Sequence, residues 1–192
     1  MLLTNGHIAT LQSDNSFGLI GDGVIALDGA QIAWVGASSD LPDVYRNQTK
    51  HDLNGRLVTP ALIDCHTHVV FGGNRAAEFE QRLNGASYEA VAKAGGGIVS
   101  TVTATRAATE DALLVDALTR VDAMIAEGVT LIEVKSGYGL DRNTELKMLR
   151  VARQIAKVRP IEVRTSFLGA HAVPPEYAGQ PDAYIDEMCI PT

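Results

Sequence analysis

The second part of the chain contains three strand-like segments that each combine one charged face with one apolar face, at residues 63–68, 131–135 and 161–167. Side chains alternate along a strand, so Glu133 and Lys135 share one face while Ile132 and Val134 share the other. In an open doubly wound sheet, helices cover both faces and the strands are continuous apolar runs. A barrel instead encloses its inner face, which can carry a polar site. The pattern therefore favours a barrel.

The order of the predicted elements after Pro60 supports the same architecture. Strands predicted at 61–68, 129–135 and 161–168 alternate with helices predicted at 76–93, at 110–127, from a cap at Asp141 or Asn143 up to Pro160, and from 184 to 188. Such alternation implies parallel strands with helices outside. A complete (β/α)₈ barrel needs about 250 residues, whereas this chain has 192. We therefore predict an α/β fold that holds about the first three strands of a barrel, over residues 59–192.

The first 58 residues have a different pattern, with short strands and tight turns. Asp28-Gly29 separates two apolar runs and is typical of a hairpin turn, and Asn54-Gly55 repeats this signal. We predict a small antiparallel β unit over residues 1–58. So short a unit buries little surface by itself, which indicates that it is one part of a small β-sandwich.

Charge and cysteine content limit the partners and the location. The chain has 16 Lys and Arg against 23 Asp and Glu, a net charge of −7, and no basic cluster, which argues against nucleic-acid binding. Cys65 and Cys189 lie far apart without a disulfide framework, so we expect a cytoplasmic protein. No signal peptide or membrane span is predicted. Small molecules or proteins are the expected partners, and the oligomeric state, homo-oligomer included, stays open.

His66 and His68 end the first predicted barrel strand. On a strand, two imidazoles two residues apart project to the same side, about 6–7 Å from each other. They can chelate a metal when the strand end curls, and imidazole nitrogens suit zinc or iron. Two polar histidines at a barrel rim are the alternative. A catalytic metal site normally has three protein ligands, so the others must come from elsewhere.

Three further side chains follow the ends of predicted strands. His171 lies in the loop after the third strand, where it can polarise a carbonyl or contact a substrate. Tyr138 stands between two glycines and presents a phenol at the rim. Arg75 follows the histidine pair, and its guanidinium can bind a carboxylate with two hydrogen bonds. Each also has a structural explanation, as a loop histidine, a turn residue and an exposed arginine.

Taken together, these segments resemble the amidohydrolase superfamily, and within it the imidazolonepropionase family. The superfamily pattern is Pro-Ala-Leu-Ile-Asp-Cys-His-Thr-His at 60–68. The more specific segments are Lys-Ser-Gly-Tyr-Gly-Leu at 135–140 and Leu-Gly-Ala-His at 168–171, supported by Phe-Gly-Gly-Asn-Arg at 71–75.

The resemblance implies a role for each candidate residue. His66 and His68 would be two ligands of one zinc or iron ion. Arg75 would hold the propionate group of the substrate, and His171 would act as the catalytic residue beside the scissile carbonyl. The implied substrate-binding residues are Arg75, Tyr88, Tyr138 and His171.

The implied reaction belongs to histidine degradation. It is the hydrolysis, by metal-activated water, of the cyclic amide of 4-imidazolone-5-propanoate to N-formimino-L-glutamate. The remaining metal ligands and the acid/base group of this family would lie beyond Thr192. We therefore expect the 192-residue chain alone to be inactive.

Three alternatives remain open at this point. Lys135 can be a carboxylated lysine that bridges two metals, as in hydantoinase-like or dihydroorotase-like enzymes, or it can form an ion pair with Glu133, Glu162 or Asp64. A deaminase of the same superfamily is a second alternative. A binding or scaffold domain without catalysis is the third.

Overall fold

The computed structural model describes residues 1–12, 16–87 and 96–192, and these form two compact units, Met1–Ala61 and Leu62–Thr192. Both strands and helices are present, so the predicted α/β class is confirmed. Within the described ranges, no helix combines the length and the apolar character needed to cross a bilayer.

The first unit is a five-stranded sheet. Its strands are β1 (Leu2–Ala9), β2 (Leu19–Asp28), β3 (Gln31–Ala37), β4 (Lys50–Asp52) and β5 (Leu57–Val58). The order is β3-β2-β1-β4, and β5 also pairs with β1. The predicted β2–β3 hairpin is confirmed, because Asp28 pairs with Gln31 across a turn in which Gly29 has a φ of 56°.

The prediction of a wholly antiparallel unit is wrong for β4 and β5. Both run parallel to β1, with Leu2 paired to Lys50 and His7 paired to Leu57. The turn at Asn54-Gly55 does form, with φ values of 54° and 71°. However, it joins two strands that lie one after the other along β1. A turn motif reports local backbone geometry, and it does not report which strand will accept the next segment.

The second unit has a three-stranded sheet with helices. Its strands are β6 (Leu62–Thr67), β7 (Val129–Lys135) and β8 (Glu162–Ser166), all parallel and in the order β6-β7-β8. The described helices are α1 (Ala76–Leu83), α2 (Ile98–Ala107), α3 (Glu110–Ala126), α4 (Arg142–Val158) and α5 (Pro181–Tyr184), the last followed by a π-helical turn at Ile185–Cys189. The predicted parallel strands are confirmed.

Two helix predictions need correction. Helix α1 ends at Leu83 rather than at Lys93, and Gly85 follows with a φ of 95°; residues 88–93 lie outside the described ranges. Helix α2 was not predicted, because the β-branched residues of Ile98–Ala107 weaken a helical pattern. Tertiary contacts stabilise it, since Val102 and Thr105 are buried.

Helices α3 and α4 cover one face of the sheet, and this determines which side chains point to the opposite face. Their N-caps are Thr109 and the predicted Asp141, whose side chains accept hydrogen bonds from the main chain three residues later. Ile132 and Val134 of β7 are fully buried in the same core, together with Leu113, Ala117, Val121, Met148, Val151, Ala152 and Ile155. Because strand side chains alternate, Glu133 and Lys135 therefore point to the opposite face.

Candidate functional site

Charged and hydroxyl side chains of β7 and β8 form a connected polar face. Lys135 Nζ lies 2.7 Å from Glu133 Oε1, and the Ser166 hydroxyl donates to the same carboxylate. The hydrogen bond from Lys135, followed by the one from Ser166, lowers the pKa of Glu133. The ion pair expected for Lys135 as one of two alternatives is therefore present, and its partner is Glu133.

The two predicted metal-binding histidines lie at the end of β6. The ring centroids of His66 and His68 are 5.6 Å apart. Asp64 Oδ1 accepts a hydrogen bond from the main-chain N–H of His66 at 3.2 Å, which fixes the strand end. His68 is half-buried, and its Nδ1 atom is buried without a hydrogen-bond partner among the described residues. The sequence prediction that these two imidazoles lie close together is thus met by the geometry.

His68 is the centre of a ring cluster built from the ends of all three strands. Its ring stacks on His171 with centroids 5.1 Å apart and planes 19° apart, and it lies 5.2 Å from the Tyr138 ring. Tyr138 and His171 are 5.3 Å apart. The structure therefore brings together four of the residues singled out in the sequence.

The surroundings of His68 favour its neutral form. Burial lowers its pKa most, and the nearby basic groups of His171, His66 and Lys135 lower it further, whereas the main chain at Ser136 acts in the opposite direction. A neutral imidazole keeps a nitrogen lone pair, which metal coordination requires.

His171 is oriented by the loop that follows β7. Its Nδ1 atom lies 3.0 Å from the carbonyl oxygen of Gly137. Gly137 has a φ of 112°, and a Cβ atom there would lie 2.8 Å from His171 Nδ1 and 2.9 Å from the Leu168 oxygen. Glycine is therefore required at this position, both for the backbone conformation and for the close approach of the imidazole.

A cavity of about 330 Å³ adjoins the ring cluster, and it is lined by Phe71, Asn74, Arg75, Thr101, Arg120 and Tyr138. Arg75 Nε donates a hydrogen bond to Thr101 Oγ1 at 2.9 Å. The guanidinium of Arg120 stacks on the Phe71 ring at 3.7 Å and donates to the Val69 carbonyl at 2.8 Å. Two guanidinium groups make the cavity suited to an anionic group. Tyr138 belongs to both the cavity and the ring cluster.

Sequence reasoning missed Arg120 and Glu145. Arg120 lies beside Val121 at the edge of the apolar face of α3, where an arginine is usually only a solvated residue. Glu145 is fully buried beneath the 137–140 loop. A glutamate in the first turn of a helix that follows a glycine-rich loop was the available signal.

One predicted residue, Tyr88, cannot be placed in the site, because it lies outside the described residues. Residues 1–12, 16–87 and 96–192 also contain no group of three or more His, Cys, Asp or Glu side chains that could hold a metal ion. The two histidines predicted to bind metal, His66 and His68, lie within these ranges.

Curated relatives match the chain along its whole length. It is 79% identical over 192 residues to an imidazolonepropionase of Roseobacter denitrificans, 64% identical over 191 residues to one of Ruegeria sp. (strain TM1040), and 55% identical over 190 residues to one of Paracoccus denitrificans. These matches cover 100%, 100% and 98% of this chain but 48%, 47% and 48% of the relatives. The chain thus spans about half the length of the curated relatives it matches, and the resemblance predicted from the sequence is confirmed.

Solved structures give a similarity of fold. A 5-methylcytosine deaminase from Klebsiella pneumoniae liganded with phosphonocytosine aligns with a TM-score of 0.59 at 15% identity, over 97% of this chain and 42% of that one. The same enzyme liganded with 5-fluorocytosine aligns with a TM-score of 0.54 at 16% identity, over 86% of this chain and 35% of that one. No model of a known protein family matches the chain.

Proposed function

Because the chain is similar to imidazolonepropionases along its whole length, we propose that the whole protein hydrolyses the cyclic amide of 4-imidazolone-5-propanoate to N-formimino-L-glutamate, a step of histidine degradation. The observation that carries this proposal is the convergence of His66, His68, Tyr138 and His171 beside a cavity lined by arginine. The substrate is small, and its carboxylate matches the charge of that cavity.

We propose that His66 and His68 hold one zinc or iron ion together with ligands from outside this chain. The fit rests on the donor set, which is two imidazoles at one strand end, and on the buried Nδ1 atom of His68 without a partner in the described chain. The chemistry that such a metal supplies in hydrolases is the activation of water at neutral pH. The ion pair between Lys135 and Glu133 supports a single-metal site rather than a carboxylated lysine.

The cavity beside Tyr138 is the proposed site for the propionate group of the substrate. Arg75 directs Nε to Thr101, and its described hydrogen bonds leave the two Nη groups for the paired contact that a carboxylate prefers. Arg120 adds a second positive charge and holds Phe71 in place. Tyr138 lines the cavity and lies beside His68, which supports its proposed role as a substrate contact between the two.

His171 is the proposed group beside the scissile carbonyl. A carbonyl oxygen only accepts hydrogen bonds, so the contact with Gly137 requires a proton on Nδ1 of His171. Nε2 then carries a lone pair in the neutral ring, and in the imidazolium it carries a proton and is a second donor. The imidazolium form is the one that can stabilise a developing oxyanion.

We further propose that β6, β7 and β8 are the first strands of a (β/α)₈ barrel that begins near residue 59, with residues 1–58 forming part of a small β-sandwich. The sequential parallel order and the polar face opposite the helices support this architecture. The acidic charge and the two unpaired cysteines support a cytoplasmic protein without nucleic-acid partners.

The test is an assay of ring opening with the whole protein, combined with metal analysis. We expect formation of N-formimino-L-glutamate and one zinc or iron ion per chain, with activity lost on chelation. Two metals per chain would favour the alternative in which Lys135 is carboxylated. A protein that keeps its metal content and behaviour after replacement of His66 and His68 by alanine would instead be a binding or scaffold protein.

The 192-residue chain provides a second test. We expect it not to open the ring, because among the described residues it supplies two proposed metal ligands, His66 and His68, and no group of three. Measurable turnover by the isolated chain would show that its own residues complete the site.

A further inference from the structure

Glu145 is a buried carboxylate that has no role in the function proposed above. It lies in the first turn of α4, with 0% of its surface exposed. Its two oxygens accept three main-chain hydrogen bonds from the preceding loop: Gly137 N–H to Oε2 at 2.8 Å, Gly139 N–H to Oε1 at 2.7 Å, and Leu140 N–H to Oε1 at 2.8 Å. Three converging donors suit a carboxylate, because that group only accepts.

The surroundings of Glu145 show what its charge interacts with. A buried charge is costly unless it is paired or fully hydrogen-bonded. Within the described ranges no Lys or Arg forms an ion pair with Glu145, and Arg106 at the end of α2 pairs with Asp141 and Glu176 instead. The N-terminal end of α4 and the three amide dipoles therefore compensate the charge. The carboxylate is used to hold the backbone of the loop.

Gly137 connects this anchor to the site. Its N–H is held by Glu145, and its carbonyl oxygen accepts from Nδ1 of His171 at 3.0 Å. Its φ of 112° and the 2.8 Å that would separate an added Cβ atom from His171 Nδ1 show how closely its backbone packs against the imidazole. A change at the N–H of Gly137 is therefore transmitted to the imidazole.

Tyr138 is fixed by the same anchor. The residues on both sides of it, Gly137 and Gly139, each donate to Glu145. Arg106 Nε also donates to the Gly139 carbonyl at 2.7 Å. The backbone on both sides of Tyr138 is thus held by hydrogen bonds, and the Tyr138 ring lies between the cavity and the imidazole cluster.

We propose that Glu145 is a positioning residue of the site. Its carboxylate holds the 137–140 loop so that Gly137 keeps His171 in the tautomer with a proton on Nδ1 and so that Tyr138 stays against His68. The effect on catalysis rests on the proposed function, whereas the effect on the tautomer of His171 does not.

The sharpest variant is Glu145→Gln, which has nearly the same shape. An amide has one accepting oxygen, and two of the three donors, Gly139 and Leu140, share Oε1. If the amide oxygen takes that place, its NH₂ group faces the Gly137 N–H, and two donors oppose each other. The substitution therefore removes the contact with Gly137.

The measurement is a ¹⁵N–¹H correlation of histidine side chains in the whole protein at about pH 8, where neutral imidazoles prevail. We expect wild-type His171 to show the Nδ1–H tautomer and Glu145→Gln to show a mixture of both tautomers. The matched control is Asp141→Ala, which removes the N-cap of the same helix and an ion pair with Arg106 but leaves the contact between Glu145 and Gly137, and it should keep the wild-type tautomer.

A kinetic measurement tests the catalytic part. We expect kcat/KM for ring opening to decrease about 10- to 100-fold in Glu145→Gln, as small displacements of reacting groups do, and less in Asp141→Ala. If the wild-type protein does not open the ring but the tautomer changes as expected, then the proposed function fails and the positioning role stands.

The proposal is overturned if wild-type His171 lacks the Nδ1–H tautomer, or if folded Glu145→Gln keeps it unchanged. Should Glu145→Gln fail to fold, Gly137→Ala gives a second route, because the added Cβ would lie 2.8 Å from His171 Nδ1. This variant should show the same mixture of tautomers, and an unchanged spectrum would equally contradict the role of Gly137.

Discussion

The ends of β6 and β7 differ in how firmly they hold their functional side chains. β7 is the central strand, with Ile132 and Val134 at 0% and 1% exposure, and its following loop is fixed by Glu145. Among the described strands β6 pairs only with β7, and Ile63 is 63% exposed. His66 at its end is exposed as well.

This difference separates two parts of the proposed site. Of the groups that would contact substrate, His171 is hydrogen-bonded to Gly137, and Tyr138 stands between two glycines whose N–H groups donate to Glu145. The groups that would bind metal lie at the end of β6, which has one neighbour among the described strands. We therefore expect the substrate-binding loops to be preorganised in this chain, whereas the metal pair depends on what else packs against β6.

The largest expected effect concerns the edge strand. In the whole protein, His68→Ala should abolish metal binding and decrease the rate of ring opening by more than about 100-fold. Loss of a residue that only supports a metal ligand already costs up to roughly 100-fold. Metal analysis and steady-state kinetics provide the measurement. His7→Ala, at an exposed position of the first unit, is the matched control. Retained metal in His68→Ala would remove this histidine from the ligand set.

The second prediction compares apolar residues of the two strands. In the 192-residue chain, Ile132→Ala should lower the free energy of unfolding by about 2–5 kcal/mol, because it leaves a cavity in the core. Ile63→Ala should stay within about 0.5 kcal/mol, as at exposed positions. Urea denaturation measures both.

The same pair of variants tests the proposed barrel. In the whole protein, barrel closure would cover Ile63. Ile63→Ala should then lower the free energy of unfolding nearly as much as Ile132→Ala. If Ile63→Ala lowers the free energy of unfolding by the same small amount in the 192-residue chain and in the whole protein, this would argue against a partner strand beside β6.

The sequence predicts those features of the fold and the site that follow from the pattern and order of its strands. Alternation within a strand suffices to place Glu133 and Lys135 on a polar face, and strand order suffices to bring His68, Tyr138 and His171 together at one edge. The cap at Asp141 is likewise a local signal. These features follow from side-chain alternation, from strand order and from a local cap, and they were predicted.

Features that depend on distant contacts outside this order of parallel strands were missed. Helix α2 forms although its β-branched residues disfavour it, because burial against other elements outweighs propensity. Arg120 contacts the Val69 carbonyl 51 positions earlier, which no local pattern reports. β4 pairs with β1 across a separation of nearly 50 residues, so its parallel direction was not readable from the turn beside it.

The two arginines of the cavity should differ in their effects on substrate binding. Arg75→Gln removes the guanidinium proposed to pair with the carboxylate and should raise KM about 10- to 100-fold, the value of a charge-assisted hydrogen bond. Arg120→Gln should raise KM less, because its described contacts are with Phe71 and Val69. Equal KM values in Arg75→Gln and wild-type protein would exclude this cavity as the carboxylate site.

The smallest expected effect is the pH dependence of the loop after β8. Arg106 Nη1 lies 2.5 Å from Glu176 Oε1, and this hydrogen bond is the main cause that lowers the pKa of Glu176. A carboxyl whose pKa is lower in the folded state stabilises the fold above its unfolded value of about 4.3, and the contribution is lost as the pH falls through the folded pKa. Because Glu176 is more than half exposed, solvent screening keeps this contribution small.

Glu176→Gln should therefore be less stable than wild type at pH 7 and equal to it near pH 2. Thermal unfolding measures this difference, with the exposed Asp182→Asn as the control. A stability difference that does not change with pH would show that the ion pair does not anchor this loop.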